Sequence, residues 1–270
     1  MEMKKSVVIN FLAFALLSSV ACSGASGGAV KEVVIIRGDR NVYGSLNMLL
    51  EPVTVNYEGE ELTEDFSADL VVIGEFTGET KAGFGYVYDD HFKKEIINDA
   101  NAYNQLLITN VLKGDAKVGE TVTVVQRYGF DEERGALISF SGLTPMNKGD
   151  SWIYFLKRSD NADFGAYYSA GDSDGRYPVP NHELKKAAKE VLTKTRELHD
   201  KGSGCGEGCL KAREEAVLKI DASMLGVLNR DDFNFELYAE ILEYFEIGAR
   251  DGANPGQGFD AGLIELANRQ

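Results

Sequence analysis

Short runs of β-branched, leucine and aromatic residues fill the middle of this chain, and Gly, Asp, Asn and Lys separate them. The clearest runs are residues 70–76, 84–88, 103–112, 121–127, 136–140, 152–156 and 166–170. Runs of this length and composition are typical of β-strands, and the turn residues at 113–119 predict a hairpin loop. Six or more short strands at this spacing favour an antiparallel barrel that is closed or nearly closed.

The segments around these runs complete the expected sheet. Residues 31–37 are rich in Val and Ile and predict one more strand. Three polar stretches are expected to be connections rather than strands. They are residues 59–66, as an acidic loop or one short helix, and residues 89–102 and 128–135, as long loops.

The order of four motifs resembles a known group of barrels. The chain contains ADLVVIGE at 68–75, ITNVLKGD at 108–115, VTVVQR at 122–127 and KGDSWIYFLK at 148–157. This order resembles the netrin-like and tissue-inhibitor-of-metalloproteinase-like group, and it implies a barrel of the oligonucleotide/oligosaccharide-binding (OB) type. The protease inhibition of that group depends on a Cys at the start of the barrel domain. Because this barrel segment begins at Ala68 and contains no Cys, we do not expect that activity.

A helical region is expected after the barrel. Beyond Pro180 the apolar period changes from two residues to about 3.6, with Asn181 as an N-cap. Further helices are expected over residues 209–224 and from Asp231 or Asp232 onward. The predicted fold class is therefore α+β, an antiparallel OB-like β-barrel followed by a C-terminal helical region. Residues 31–180 form the barrel domain with its N-terminal extension, and residues 181–270 form the helical region.

The amino terminus predicts export. Residues 1–21 join a basic start to an apolar run over 7–17, which is shorter than the ~20 residues of a membrane-spanning helix. Cys22 and a Gly/Ser-rich tether over 22–30 follow, and this arrangement resembles a bacterial lipoprotein signal. The resemblance implies a lipid on Cys22 and a place in the cell envelope. Ser19 stands where such signals have an aliphatic residue, so cleavage by ordinary signal peptidase and secretion is the alternative.

The charge of the chain limits its partners. The formal net charge is −15, and residues 1–21 carry +1, so the chain without them has −16. Such a surface repels phosphate backbones and anionic lipid headgroups, which argues against nucleic-acid binding and against peripheral electrostatic attachment to a membrane.

Two further cysteines lie close together in the helical region. If Cys22 carries lipid, Cys205 and Cys209 remain, in the glycine-rich sequence GSGCGEGC. An oxidising compartment favours a disulfide between them, closing a small loop of modest stabilising effect. A redox pair is the alternative, although the spacing differs from the usual CxxC. A zinc site would require further ligands, and His182 and His199 are too far apart to form a local motif.

Catalytic and ligand-binding motifs are not evident. Asp172 and Asp174 resemble the start of a calcium loop, but Tyr177 stands where that loop needs Gly. Residues 114–121 approach a phosphate-binding loop, but Glu120 replaces the essential Lys. We therefore assign no catalytic residue, metal ligand or cofactor, and an enzyme is the less favoured reading.

The sequence favours an exported, lipid-anchored envelope protein that binds an unknown protein or glycan. Its candidate contact residues are Tyr86, Tyr88, Tyr128, Phe130 and Trp152, and the last of these is also a core candidate. Two alternatives remain. One is a secreted hydrolase using acidic residues from 131–133 and 172–174, and the other is a structural envelope component that docks through its helical region.

Overall fold

The computed structural model describes residues 30–36, 45–57, 60–65, 67–91, 93–131, 133–140, 142–159, 165–170, 175–200, 222–225, 227 and 233–250. The expected signal sequence, Cys22, Cys205 and Cys209 lie outside the described residues. So does most of the helix expected over 209–224, whose last residues fall in a 3-10 turn at Ala222–Leu225.

Strands dominate the described residues. The strands are β1 (Glu32–Ile36), β2 (Val53–Tyr57), β3 (Glu60–Glu64), β4 (Leu70–Asp89), β5 (Lys94–Lys113), β6 (Thr121–Gln126), β7 (Tyr128–Asp131), β8 (Ala136–Phe140), β9 (Ser151–Arg158), β10 (Tyr167–Ser169) and β11 (Arg176–Pro178). The α-helices are α1 (Leu46–Leu50), α2 (His182–Asp200) and α3 (Phe235–Tyr244). The α+β class is confirmed. None of the helices in the described ranges is long and apolar enough to cross a membrane.

Five strands close into a barrel in the order β6-β5-β4-β9-β10, and β10 returns to pair with β6. The prediction of a purely antiparallel barrel is wrong, because β10 and β6 are parallel, with Tyr168 opposite Val125. The odd number of strands in the ring explains the parallel pair. Strands that alternate in direction around a ring require an even number, so a ring of five must contain a parallel pair. The other four pairings in the ring are antiparallel.

The hairpin of β4 and β5 extends beyond the barrel, which contradicts the loop expected over 89–102. Both strands are 20 residues long, and Lys94–Ala102 pairs with the distal half of β4. Inward positions in this part of β5 are occupied by Ala100 and Ala102, and the polar residues lie between them on the outer face. Small inward side chains thus hide the alternation that marks a half-buried strand.

A second sheet packs against this extended hairpin in the order β1-β8-β7, with β1 parallel to β8. The strand expected over 31–37 is confirmed. The loop expected over 128–135 is wrong in its first half, which forms β7. The acidic stretch 59–66 is also a strand in part, because β3 pairs with β2 in a separate hairpin.

Two hydrophobic cores meet along β4 and β9. Leu70, Val72, Trp152 and Tyr154 belong to the cluster inside the barrel. The intervening residues of the same strands, such as Val71, Ile73 and Phe155, pack outward in the cluster that contains α2 and α3. Because both faces of these strands are buried, their sequences read as continuous apolar runs.

The helix starts follow capping chemistry. The Leu184 amide donates to Asn181 Oδ1 at 2.7 Å, which confirms the predicted cap of α2. The cap of α3 is Asn234, whose Oδ1 accepts from the Leu237 amide at 3.1 Å, and the earlier start at Asp231 or Asp232 is wrong. An Asn side chain at this position satisfies a backbone donor that the first helical turn leaves open.

Candidate functional site

A small cavity lies where the barrel meets the second sheet, and we call it the rim pocket. Its volume is about 110 Å³. The lining residues come from the end of β6 and the step into β7, from the end of β8 and the chain after it, and from β10. They are Val125, Gln126, Arg127, Phe140, Leu143, Tyr168 and Ser169.

The alternation of β6 brings a buried polar residue, Gln126, into the lining of the rim pocket. Val122, Val124 and Gln126 alternate along β6 and are all buried, and Gln126 is only 1% exposed. Gln126 Oε1 accepts hydrogen bonds from Asn104 Nδ2 at 3.3 Å and from Arg176 Nη1 at 3.2 Å. Asn104 in turn accepts at its Oδ1 from the Tyr128 hydroxyl at 3.2 Å.

This network fixes the orientation of the Gln126 amide. A guanidinium group can only donate hydrogen bonds, so the atom of Gln126 that faces Arg176 must be the oxygen. The amide nitrogen Nε2 is therefore directed away from that contact, and it has no hydrogen-bond partner within the described part of the chain. A buried donor in this state is costly, which makes Gln126 the most informative residue of the site.

Arg176 places a positive charge next to Gln126. It is 3% exposed and donates through Nη2 to the Thr144 carbonyl at 2.8 Å and to Thr144 Oγ1 at 3.2 Å. Its guanidinium also lies over the Trp152 ring, 4.6 Å from the centroid. Burial lowers the pKa of Arg176, but the ordinary pKa of arginine is high enough that the group stays charged at neutral pH.

The walls of the rim pocket combine apolar surface with two more polar groups. Tyr168 is 44% exposed and marks the outer edge. Ser169 Oγ is buried and, in the ranges that the structure describes, has no hydrogen-bond partner. The Arg127 guanidinium lies 4.4 Å from the centre of the Phe140 ring, and its Nε is 3.6 Å from Asp99 Oδ1.

The lining residues determine what this pocket can do chemically. None of the seven is His, Cys, Asp or Glu, so the lining supplies neither a general base nor a ligand that metals prefer. No group of three such residues that could hold a metal ion occurs among the described residues. What the lining offers is an amide, a guanidinium, two hydroxyl groups and apolar surface.

The predicted contact residues separate into two groups. Tyr128 and Trp152 are buried in the two sheets, at 2% and 1% exposure, and Phe130 packs partly buried against the core of the second sheet. Tyr86 and Tyr88 are 58% and 56% exposed on β4, near the end of the extended hairpin. We call residues 85–95 the hairpin tip.

Of the acidic residues considered for a hydrolase, Asp131 and Glu133 are described, and neither lines the rim pocket. Asp131 accepts from the Arg134 amide at 3.2 Å, and its Oδ2 lies 3.4 Å from the Arg134 guanidinium, so it stabilises the β7–β8 turn. Residues 172–174 lie outside the described residues. Gln126, Tyr168 and Ser169 were not predicted as site residues. Only Gln126 has a signal in the sequence, as a polar residue at an inward position of an alternating strand.

No protein-family model, curated protein or solved structure matches this chain. The rim pocket and the hairpin tip are candidate contact surfaces among the described residues.

Proposed function

We propose that this chain is an exported, lipid-anchored envelope protein that binds a protein or glycan partner through its barrel. The observation that carries the binding function is the rim pocket, whose buried Gln126 leaves a donor without a partner among the described atoms. Native proteins rarely bury such a donor without giving it an acceptor, and a ligand that displaces the pocket lining can supply one.

The barrel is of the OB type in this proposal. Its first three strands form a meander, its fourth strand (β9) returns to the first, and its fifth (β10) lies between the third and the fourth. This order supports the five-stranded Greek-key arrangement of OB folds, which commonly serve as binding modules. Fold alone does not assign the ligand, so the argument for binding rests on the site.

The anchor is a lipid on Cys22, and the tether holds the barrel near the membrane. Seven residues lie between Cys22 and Val30, and a Gly/Ser-rich chain of that length spans roughly 13–16 Å on average. The acidic surface fits a partner other than nucleic acid. The protein works at the extracytoplasmic face of the bacterial envelope, and the hairpin tip offers a second contact surface for a large partner.

Native mass spectrometry of the protein extracted from its own envelope in mild detergent tests this proposal. We expect an acylated Cys22 at the amino terminus, Cys205 and Cys209 lighter by two hydrogens, and a co-purifying mass. The Cys22→Ser variant should leave the membrane fraction and keep the partner. An unlipidated, monomeric and empty mature chain would refute both the anchor and the binding function.

A further inference from the structure

We propose that the large partner of the hairpin tip is a second copy of this chain, which pairs with the outer edge of β4. The inference goes beyond the proposed binding function, and only the expected strength of the contact rests on the proposed anchor. Residues 80–88 of β4 form this edge, and we call them the distal edge. Each copy contributes the same segment, so the contact is antiparallel and symmetric about a two-fold axis.

The distal edge has a strand neighbour on one side only, within the described part of the chain. β5 pairs with β4 from Thr80 to Asp89, but β9 pairs with β4 only from Leu70 to Glu75. A strand edge that is left open in this way is a template for another strand. Proteins usually protect such an edge with charged residues or proline. Residues 80–88 contain a single charged residue, Lys81, and no proline.

Apolar side chains are exposed on both faces of the distal edge. Tyr86 is 58% exposed, Val87 44% and Tyr88 56%. Because successive side chains of a strand point to opposite faces, the two tyrosines lie on one face and Val87 on the other. A partner with a flat surface would cover only one of these faces. A strand that pairs along the edge covers both, because its own side chains stand beside those of β4 on each face.

One register gives every exposed apolar residue of the distal edge an apolar partner. With Val87 on the two-fold axis, it lies opposite its own counterpart, and Tyr86 lies opposite Tyr88 of the second copy. The tyrosines then form two cross-strand aromatic pairs, which stabilise sheets. Asp89 lies opposite Gly85, so no like charges face each other. Moving the axis to Tyr88 would instead place Val87 opposite Asp89.

The ladder is short, so anchoring determines how much of the protein is paired. Residues 85–89 of the two copies face each other, and a stable interface in solution usually buries more than roughly 1,000 Å². Freely diffusing chains should therefore pair weakly. Two chains that carry the proposed lipid on Cys22 share one membrane surface, which raises their effective concentration toward about the millimolar range. We therefore expect the dimer in the anchored protein.

Disulfide trapping in the native envelope tests the inference with a matched pair of valines. Val87→Cys and Val118→Cys are made in a full chain in which Cys205→Ser and Cys209→Ser remove the other thiols, and copper phenanthroline is the oxidant. Val118 is 65% exposed in the turn between β5 and β6, so random collision would favour it over Val87. Opposed Cα atoms in an antiparallel ladder lie about 4.5–5.5 Å apart, which a disulfide can bridge. We expect about tenfold more linked dimer from Val87→Cys. Equal yields would overturn the inference.

A second pair of variants tests the register. Tyr86→Cys and Tyr88→Cys should link to each other when two differently tagged chains are produced together. Tyr86→Cys alone should link poorly, because diagonal neighbours lie about 7–8 Å apart, beyond the usual reach of a disulfide. Equal linking of Tyr86→Cys with itself and with Tyr88→Cys would contradict the proposed pairing.

A charge on the two-fold axis should separate the copies. Val87→Lys places two like charges opposite each other, so it should reduce the link between Tyr86→Cys and Tyr88→Cys by about tenfold. Val118→Lys is the matched control and should leave the link unchanged. Unchanged emission from the buried Trp152 verifies that both lysine variants are folded. Linking that persists in Val87→Lys would refute the contact.

The possible outcomes separate this inference from the proposed function. Mass spectrometry of the same extract reports the acylation of Cys22. An acylated chain that gives no Val87→Cys dimer overturns the second-copy inference and leaves the anchor standing. A Val87→Cys dimer from a chain without an acyl group supports the pairing and refutes only the anchor. A disulfide from Val87→Cys to a different protein, without a homodimer, overturns the inference and assigns the distal edge to that protein.

Discussion

Two glycines in the turn between β5 and β6 provide a controlled test of how the barrel is assembled. Gly114 and Gly119 have nearly the same φ, +92° and +88°. A Cβ atom on Gly119 would meet nothing within 4 Å, whereas on Gly114 it would collide with the Asp69 backbone oxygen and lie 3.1 Å from Leu70 Cα. Asp69 and Leu70 stand at the start of β4. The turn therefore packs directly on the first strand of the barrel at Gly114 and is open at Gly119.

The two alanine variants share one energetic cost and differ in another. A left-handed backbone costs a residue with a Cβ about 1–2 kcal/mol, and the stiffer unfolded chain offsets about 0.4–1 kcal/mol. Gly119→Ala should therefore destabilise the protein by about 0–1.5 kcal/mol. Gly114→Ala adds overpacking against backbone atoms, which cannot rotate away, at about 1–3 kcal/mol. The expected difference in the free energy of unfolding is about 1–3 kcal/mol.

Urea unfolding followed by tryptophan fluorescence measures this difference. Trp152 is the single tryptophan of the chain and is 1% exposed inside the barrel, so its emission reports on barrel integrity. The urea midpoint of Gly114→Ala should lie clearly below that of Gly119→Ala, at a similar slope. Coincident midpoints would show that the turn does not pack on Asp69 and Leu70, and the arrangement of the barrel strands described above would be wrong there.

Three further predictions concern the barrel wall, an ionisable core residue and the helices. Gly175→Ala would bring a Cβ atom to 2.6 Å from Ser169 Cβ, so it should displace β10 and destabilise the protein by about 1–3 kcal/mol in urea. An unchanged urea midpoint would refute the close contact. Burial raises the pKa of Tyr154, so the stability gained by keeping it neutral is present below about pH 10 and lost as the pH rises above that value. Tyrosinate absorbance should therefore show one fewer late-ionising group in Tyr154→Phe, and its ionisation before the loss of circular dichroism would contradict its burial. The hydrogen bond from Arg196 lowers the pKa of Glu243. This exposed pair therefore contributes to stability above the ordinary pKa of glutamate, and the contribution is lost as the pH falls below that value. Arg196→Ala should lower the melting temperature slightly at pH 7 and not at pH 3, and an equal decrease at both pH values would rule out the ion pair as the cause.

The barrel strands were predictable because burial on both faces requires continuous apolar sequences. β4 and β9 are covered on one face by the barrel interior and on the other by the helices, so every residue from Leu70 to Ile73 is apolar. The distal half of the β4–β5 hairpin has no such apolar run. Its fully buried residues in β5 are Ala100 and Ala102, and most of the others are polar, so residues 89–102 resemble a loop in composition although Lys94–Ala102 pairs as a strand.

The rim pocket was predictable only in part. The alternation of Val122, Val124 and Gln126 places a polar side chain inside the barrel, and that placement is a local signal. The partner that orients Gln126 is Arg176, 50 positions away, and no local pattern joins the two residues. The parallel pairing of β10 with β6, which brings Ser169 to the pocket, likewise depends on how the ring closes rather than on the composition of either strand.

The pairing of β1 has a consequence for folding during synthesis. Glu32 lies opposite Ala136, so β1 cannot pair with β8 until the ribosome has added 104 further residues. At about 5–20 residues per second the ribosome needs roughly 5–20 s to supply that partner. During this interval Val33, Val34, Ile35 and Ile36 form an apolar segment of high β-propensity with no native neighbour, and such segments recruit one another between chains. A holding chaperone that covers the first 40 residues should therefore raise the yield of this protein, and moving β1 behind β8 by circular permutation should remove the need for it.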